Sequence, residues 1–224
     1  MRRGAGTRNG SGNAQRLLGR SLHAQPSQVV QRTHIRSGFI TMALRSWHLT
    51  TSLMLPRGTD EIFPFFADAS NLGRITPPGL KFVIQTSMPV AMQRGTLIDY
   101  TISSWGIPMR WRTLISAWEP PYRFVDEQVK GPYAEWVHEH RCTAVPGGTR
   151  IDDHVRFRLP FAPLGDVAAP VILPMLRRIF THRQETIARL LAHGSMGVTI
   201  APVVISRVAP DRSRVQSVVA GRLW

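Results

Sequence analysis

The chain has 224 residues, 43% of them hydrophobic and 8% aromatic, and a formal charge of +14. That length holds one ordinary domain with extensions, the composition excludes wholesale disorder, and a single cysteine excludes a disulfide framework or a multi-cysteine zinc module. The charge is not that of a nucleic-acid-binding core. Residues 1–59 hold nine arginines and no acid, whereas residues 60–193 hold 15 Lys and Arg against 13 Asp and Glu. A basic groove needs its charge on the folded part, so no specific nucleic-acid partner is expected. The longest apolar runs, such as "VAAPVILPML", are short and broken by proline, and no transmembrane segment is expected.

Residues 1–45 read as a basic leader without sustained period. It has either the composition of an organelle transit peptide or the look of an extension upstream of Met42, the natural start. "SWHLTTSLML" then alternates as a strand from Ser46. Thr59 is the expected N-cap of one or two short helices over "DEIFPFFADASNLGRI", with Asp60 and Glu61 in the first turn and Ile62, Phe65 and Phe66 sharing a face. From Lys81 to Pro160 the signal is repeatedly β, in six runs separated by "MPVAMQRG", "GIP", "EPPY", "KGPY" and "PGG". Such short connections imply antiparallel neighbours. Leu176, Ile179, Phe180, Ile187, Leu190 and Leu191 then recur at helical spacing, and Pro170 and Pro174 should confine the regular helix to about 175–192 or kink its opening. The tail over 194–224 has strand-like fragments without a clear partner and reads as peripheral.

This order predicts an α+β fold: a twisted seven-stranded antiparallel sheet around one long C-terminal helix, with two short helices after the first strand. A sheet with one apolar face must cover it, and a single helix leaves space at the open end for a hydrophobic pocket.

The stretches "FPFFADASNLGRITPPGLKF", "GTLIDY", "GIPMRWRTLISAWEPPYRFVDEQVKGPYAEWVHEHRC" and "LPFAPLGD" resemble the SRPBCC superfamily over about residues 46–193. The resemblance is nearest to bacterial cyclase/dehydrase-like or cell-division-inhibitor-like members. It implies the START/Bet v 1-like helix-grip fold and a cavity for a lipid or a hydrophobic or aromatic molecule, without a cofactor. It also leaves open a polyketide cyclase/aromatase-like enzyme. A cytoplasmic setting is the default for a chain with one cysteine.

Three constellations carry the chemistry. Trp136, His138, His140 and Cys142 share one side of a strand. Two histidines so spaced, about 6–7 Å apart, can chelate an ion, but Cys142 lies about 13 Å from His138 and cannot complete the set. A third ligand would have to be an acid from a neighbouring strand. No metal is expected, and a pocket wall with polar tips or a cross-strand hydrogen-bonded pair is the preferred reading. Asp153 falls on the face of Val155, Phe157 and Leu159, where an unpaired acid would have a raised pKa. Asp126, His138, His140 and Asp153 are therefore candidates for acid–base work. The structural alternative pairs Asp153 or Asp126 with Arg110 or Arg112 across the sheet. Tyr100, Trp105, Trp111, Arg112, Trp136, His138, His140, Phe157 and Phe180 are the expected ligand-binding residues, the aromatics because flat rings suit a ring-containing ligand.

Overall fold

A computed structural model of the chain describes residues 46–208 apart from 105, 162–163, 193 and 195. The expected leader and Trp105 lie outside the described residues. In chain order the elements are β1 (Ser46–Leu55), α1 (Thr59–Ala67), α2 (Asn71–Ile75), a 3-10 turn (Pro78–Leu80), β2 (Val83–Ile84), β3 (Leu97–Ser104), β4 (Ile107–Glu119), β5 (Arg123–Lys130), β6 (Glu135–Val145), β7 (Gly148–Arg158), a second 3-10 turn (Leu164–Ala168), α3 (Ala169–Ala192), β8 (Thr199–Ile200) and β9 (Val204–Val208).

One antiparallel sheet runs in the order β2-β3-β4-β5-β6-β7-β1-β8, with β9 also pairing β1. The expected meander is present, but among the described residues the sheet has nine strands rather than seven. The two additional strands come from the stretch expected to be peripheral. Both pair with the edge of β1 that β7 leaves free, and two- and five-residue strands are too short to show a period in the sequence. The run at Lys81 is shorter than expected. Beyond Ile84 the backbone N–H groups of Gln85 and Thr86 both donate to the Asp99 carbonyl, while the Thr86 hydroxyl accepts from Asp99 N at 2.7 Å, so a side chain replaces ladder bonds there.

Local chemistry sets the corners. Gly58, not Thr59, is the N-cap of α1; Thr59 lies inside the helix with its Oγ1 3.3 Å from Thr149 Oγ1 on β7. Phe63 rather than Phe65 joins Ile62 and Phe66 in the buried face of α1. The β6–β7 hairpin turns through Pro146-Gly147, with Gly147 at φ +86 as a type II turn requires. A Cβ on the following Gly148 would lie 2.1 Å from the Leu55 carbonyl oxygen, so only glycine lets β7 pass the end of β1.

The helix α3 is longer than expected, beginning at Ala169 and including both prolines. Pro170 lies in the first turn, where N–H groups have no intrahelical acceptor, and Pro174 forfeits one bond to the Pro170 carbonyl. Leu176, Phe180, Gln184, Ile187 and Ala188 form its buried stripe. Gln184 is 2% exposed, and its Nε2 donates to Ser52 O at 2.9 Å and Ala201 O at 3.2 Å, clamping β1 and the tail to the helix.

Two apolar clusters lie along this helix. Leu53, Leu55, Ile62, Phe66 and Ile187 pack at one end; Trp47, Leu49, Phe157, Leu176 and Phe180 pack at the other. Phe157, on β7, is fully buried within the second cluster. Phe157→Ala should cost about 3–5 kcal/mol of stability through lost burial and a residual cavity, read as a lower urea midpoint at unchanged slope.

Candidate functional site

The inner faces of β3–β6 and the helices α1, α2 and α3 leave a space between them, although Ser104 of β3 and Met175 of α3 touch, Oγ to Sδ 3.6 Å. The result is a cavity of about 160 Å³ with residues of α1, α2, β3–β6 and α3 in its wall. A dry cavity of about that size accommodates one benzene-sized ring.

A connected aromatic group forms part of its sheet side, among aliphatic residues such as Ile98, Ile102 and Ile115. Tyr100 on β3 stacks on Trp111 of β4, with ring centroids 5.8 Å apart and planes 15° apart. Trp111 meets Trp136 of β6 edge-on at 5.5 Å, and Tyr133 lies 4.7 Å from Trp136. Among the described residues Trp111 Nε1 is buried without an acceptor, and Arg183 Nε on α3 is in the same condition. Both residues line the cavity. The guanidinium of Arg183 lies over the Phe180 ring at 5.5 Å.

The polar floor arises from strand register. Asp126 on β5 is directly opposite His138 on β6, and Asp153 on β7 is directly opposite His140. Because His138 and His140 point the same way, each carboxylate faces one imidazole and reaches the other diagonally. Asp126 Oδ2 lies 3.2 Å from His140 Nε2 and 3.5 Å from His138 Nδ1. Asp153 Oδ1 lies 3.3 Å from His138 Nε2 and 2.8 Å from His140 Nδ1, the latter out of line for a hydrogen bond. Thr51 on β1, opposite Asp153, donates its hydroxyl to Asp153 Oδ2 at 3.0 Å. The two imidazole centroids are 3.8 Å apart, and Phe124 stacks on His140 at 4.1 Å.

The electrostatics separate the two histidines. Burial, reinforced by the neighbouring His140, lowers the pKa of His138 despite both carboxylates. Burial also opposes charge on His140, but Asp153 and Asp126 outweigh it and raise its pKa. Desolvation works against ionised Asp126 as well; His138 and His140 overcome it, with Arg183 adding to their effect, and its pKa is lowered. The same balance, led by His140 against burial, holds Asp153 well below the ordinary carboxylate range. Cys142, one step along the strand, is buried with its thiol pushed up to about 12, mainly by desolvation.

Among the expected residues, Tyr100, Trp111, Trp136, His138, His140, Phe180 and Asp126 all line the cavity. Asp153 lies behind the histidines, and Phe157 belongs to the core. Arg112 is a correction: its guanidinium grips Asp99 through two 2.8 Å bonds on the outer face, away from the cavity. Arg110 is likewise exposed, so the buried acids pair with histidines rather than with either arginine. The sequence reading missed Tyr133, taken as part of a turn, and Arg183, whose place three residues after Phe180 on the helical stripe was the available signal. It also missed Thr51, whose role depends on register.

No family model and no curated protein matches the chain. Solved structures do. The Zhui aromatase/cyclase from Streptomyces sp. R1128 is 16% identical over 66% of this chain and 98% of that one, with a TM-score of 0.54. Protein Ms6760 from Mycobacterium smegmatis is 17% identical over 65% and 91%, at 0.49. A major latex-like protein from Panax ginseng is 11% identical over 65% and 97%, at 0.47. At these identities the likeness is one of fold. The antiparallel sheet gripping a long C-terminal helix, matched across nearly all of the aromatase/cyclase, is the helix-grip fold of Bet v 1-like and SRPBCC proteins.

Proposed function

We propose that the domain binds a small, ring-containing hydrophobic molecule between sheet and helix. The observation that carries this reading is the aromatic-walled cavity with a buried polar floor. Its size suits one enclosed ring, or the ring end of a longer molecule that protrudes through the mouth. Tyr100, Trp111, Tyr133 and Trp136 supply flat faces. The acceptor-free Trp111 Nε1 and the guanidinium of Arg183 favour a ligand that carries an oxygen acceptor. Among the described residues no helix is long and apolar enough to cross a membrane. A cytoplasmic site of action, read from the lone buried cysteine, belongs to this proposal.

A second reading, acid–base catalysis of the cyclase/aromatase kind, is favoured by one specific observation. Two adjacent imidazoles facing one cavity are pushed in opposite directions, which supplies a proton donor in His140 and an acceptor in His138 at the same pH. Their mutual pairing with Asp126 and Asp153 holds them fixed, and a substrate would have to exchange protons within that network.

Two measurements bear on these readings. Small phenolic or polycyclic compounds, and extracted hydrophobic fractions, should raise the melting temperature by mass action. Trp111→Ala should weaken that shift, while Arg112→Ala should leave it intact. No shift with any compound or fraction, together with no co-purifying molecule in native mass spectrometry, would overturn the binding reading. For the catalytic reading, an NMR titration of the imidazoles in chelator-treated protein should find His140 titrating above the ordinary histidine pKa of about 6.5 and His138 below it. The reverse order, or two neutral rings at pH 6.5, would remove the acid–base pair.

A further inference from the structure

Asp126, His138 and His140 each present one donor atom, and the three atoms lie within 4.8 Å of one another at the cavity surface. The acid from a neighbouring strand that a His-x-His pair needs is thus in place. Donors held about 2.0–2.2 Å from a tetrahedral ion lie roughly 3.4 Å from each other. Asp126 Oδ2 is 3.5 Å from His138 Nδ1 and 3.2 Å from His140 Nε2, so two of the three spacings already match, and the third lies within 4.8 Å.

Asp153 lies behind both rings. Its Oδ1 is hydrogen-bonded to His138 Nε2 at 3.3 Å and sits 2.8 Å from His140 Nδ1, out of line there, while Thr51 anchors the other oxygen. A carboxylate behind the ligating imidazoles, itself held in place, is the arrangement that fixes tautomer and ring orientation in metal sites. Charge balance agrees. Two carboxylates of one buried cluster, with both imidazoles neutral, match one divalent cation.

The geometry points to a mononuclear site for a divalent first-row transition ion: Asp126, His138 and His140 as ligands, Asp153 and Thr51 as the orienting pair, and an open position toward the aromatic cavity. Imidazole with one carboxylate suits zinc, iron or cobalt rather than magnesium or calcium, which take mainly oxygen ligands. The open position would place the ion beside whatever polar group a bound ring compound carries.

The test uses the full chain, stripped with a chelator and titrated with Co²⁺ as the spectroscopic probe and Zn²⁺ as competitor. One equivalent of Co²⁺ should bind with visible d–d absorption, and Zn²⁺ should displace it. Asp126→Asn and His140→Gln should abolish the signal, while Asp153→Asn should keep the stoichiometry and weaken binding about 10–100-fold. No stoichiometric Co²⁺ signal in the wild type would overturn the proposal. So would a signal of unchanged strength in folded Asp126→Asn protein, because exposed histidines such as His48 and His154 would then be the ligands. Should the ligand variants not fold, wild-type NMR decides. Bound Co²⁺ must broaden the rings of His138, His140 and Trp136, whose centroid is 6.4 Å from that of His138. Unaffected rings would overturn the assignment. Loss of the metal signal leaves the melting shift with organic compounds as a separate readout, so the two proposals fail independently.

Discussion

Two carboxylates cannot be buried in one small volume unless positive charge and hydrogen bonds accompany them, and this requirement fixes the register of half the sheet. Asp126 must stand opposite His138, Asp153 opposite His140, and Thr51 opposite Asp153. A slip of one residue in β5, β6, β7 or β1 would send one of these groups to the outer face and strand its partners inside. The apolar alternation of the strands asks for the same register, since Trp136, Val155, Phe157 and Leu49 share the inner face with the cluster. Polar and apolar demands are satisfied by one arrangement, and such agreement between levels favours a single folded structure.

The cavity follows from a mismatch of widths. Helix α3 packs on β1, β6 and β7, while over β3, β4 and β5 the helices close without filling the space. A β-bulge adds to this: the register of β4 against β5 shifts between Ile115 and Ala117. That extra residue reverses the alternation and turns Trp118 toward Phe63 and Phe124, with ring centroids 5.4 and 5.7 Å away. Trp118 closes one end of the apolar interior, and the Tyr100–Trp111–Trp136 group walls the region in front of α3. The buried acids and imidazoles gather at the floor, where β1, β5, β6 and β7 supply most of their partners.

Much of the fold was legible because it depends on periods that a sequence displays. The alternation of "EWVHEHRC" placed Trp136, His138, His140 and Cys142 on one side, and the structure buries all four. The face carrying Asp153 and Phe157 was legible for the same reason. What could not be read was pairing. Whether Asp126 meets His138 or Arg112 depends on the turn between β5 and β6 and on the register shifts between β4 and β5, and neither has a period. Arg112 was expected near the cavity because it alternates with aromatics; its partner Asp99 sits directly opposite on β3, on the outer side. Strict alternation along β4 would put Trp118 on the face of Arg112, and the bulge breaks that alternation. Arg183 lies on a stripe that was correctly identified, but a charge among apolar positions reads as a boundary rather than as part of a cavity wall.

The short strands β8 and β9 have a consequence for life in a crowded solution. A sheet ending at β1 would offer a ten-residue edge with free main-chain donors and acceptors on every second residue, a ready template for another chain to extend. The tail covers that rim from Ser46 to Thr50 and again at Leu53 and Met54, and Arg207 lies 4.8 Å over the ring of Trp47. At the far side the sheet ends in β2, only two residues long. The C-terminal stretch therefore acts as a selvage: it leaves little edge on which copies of the protein could knit into a continuous sheet.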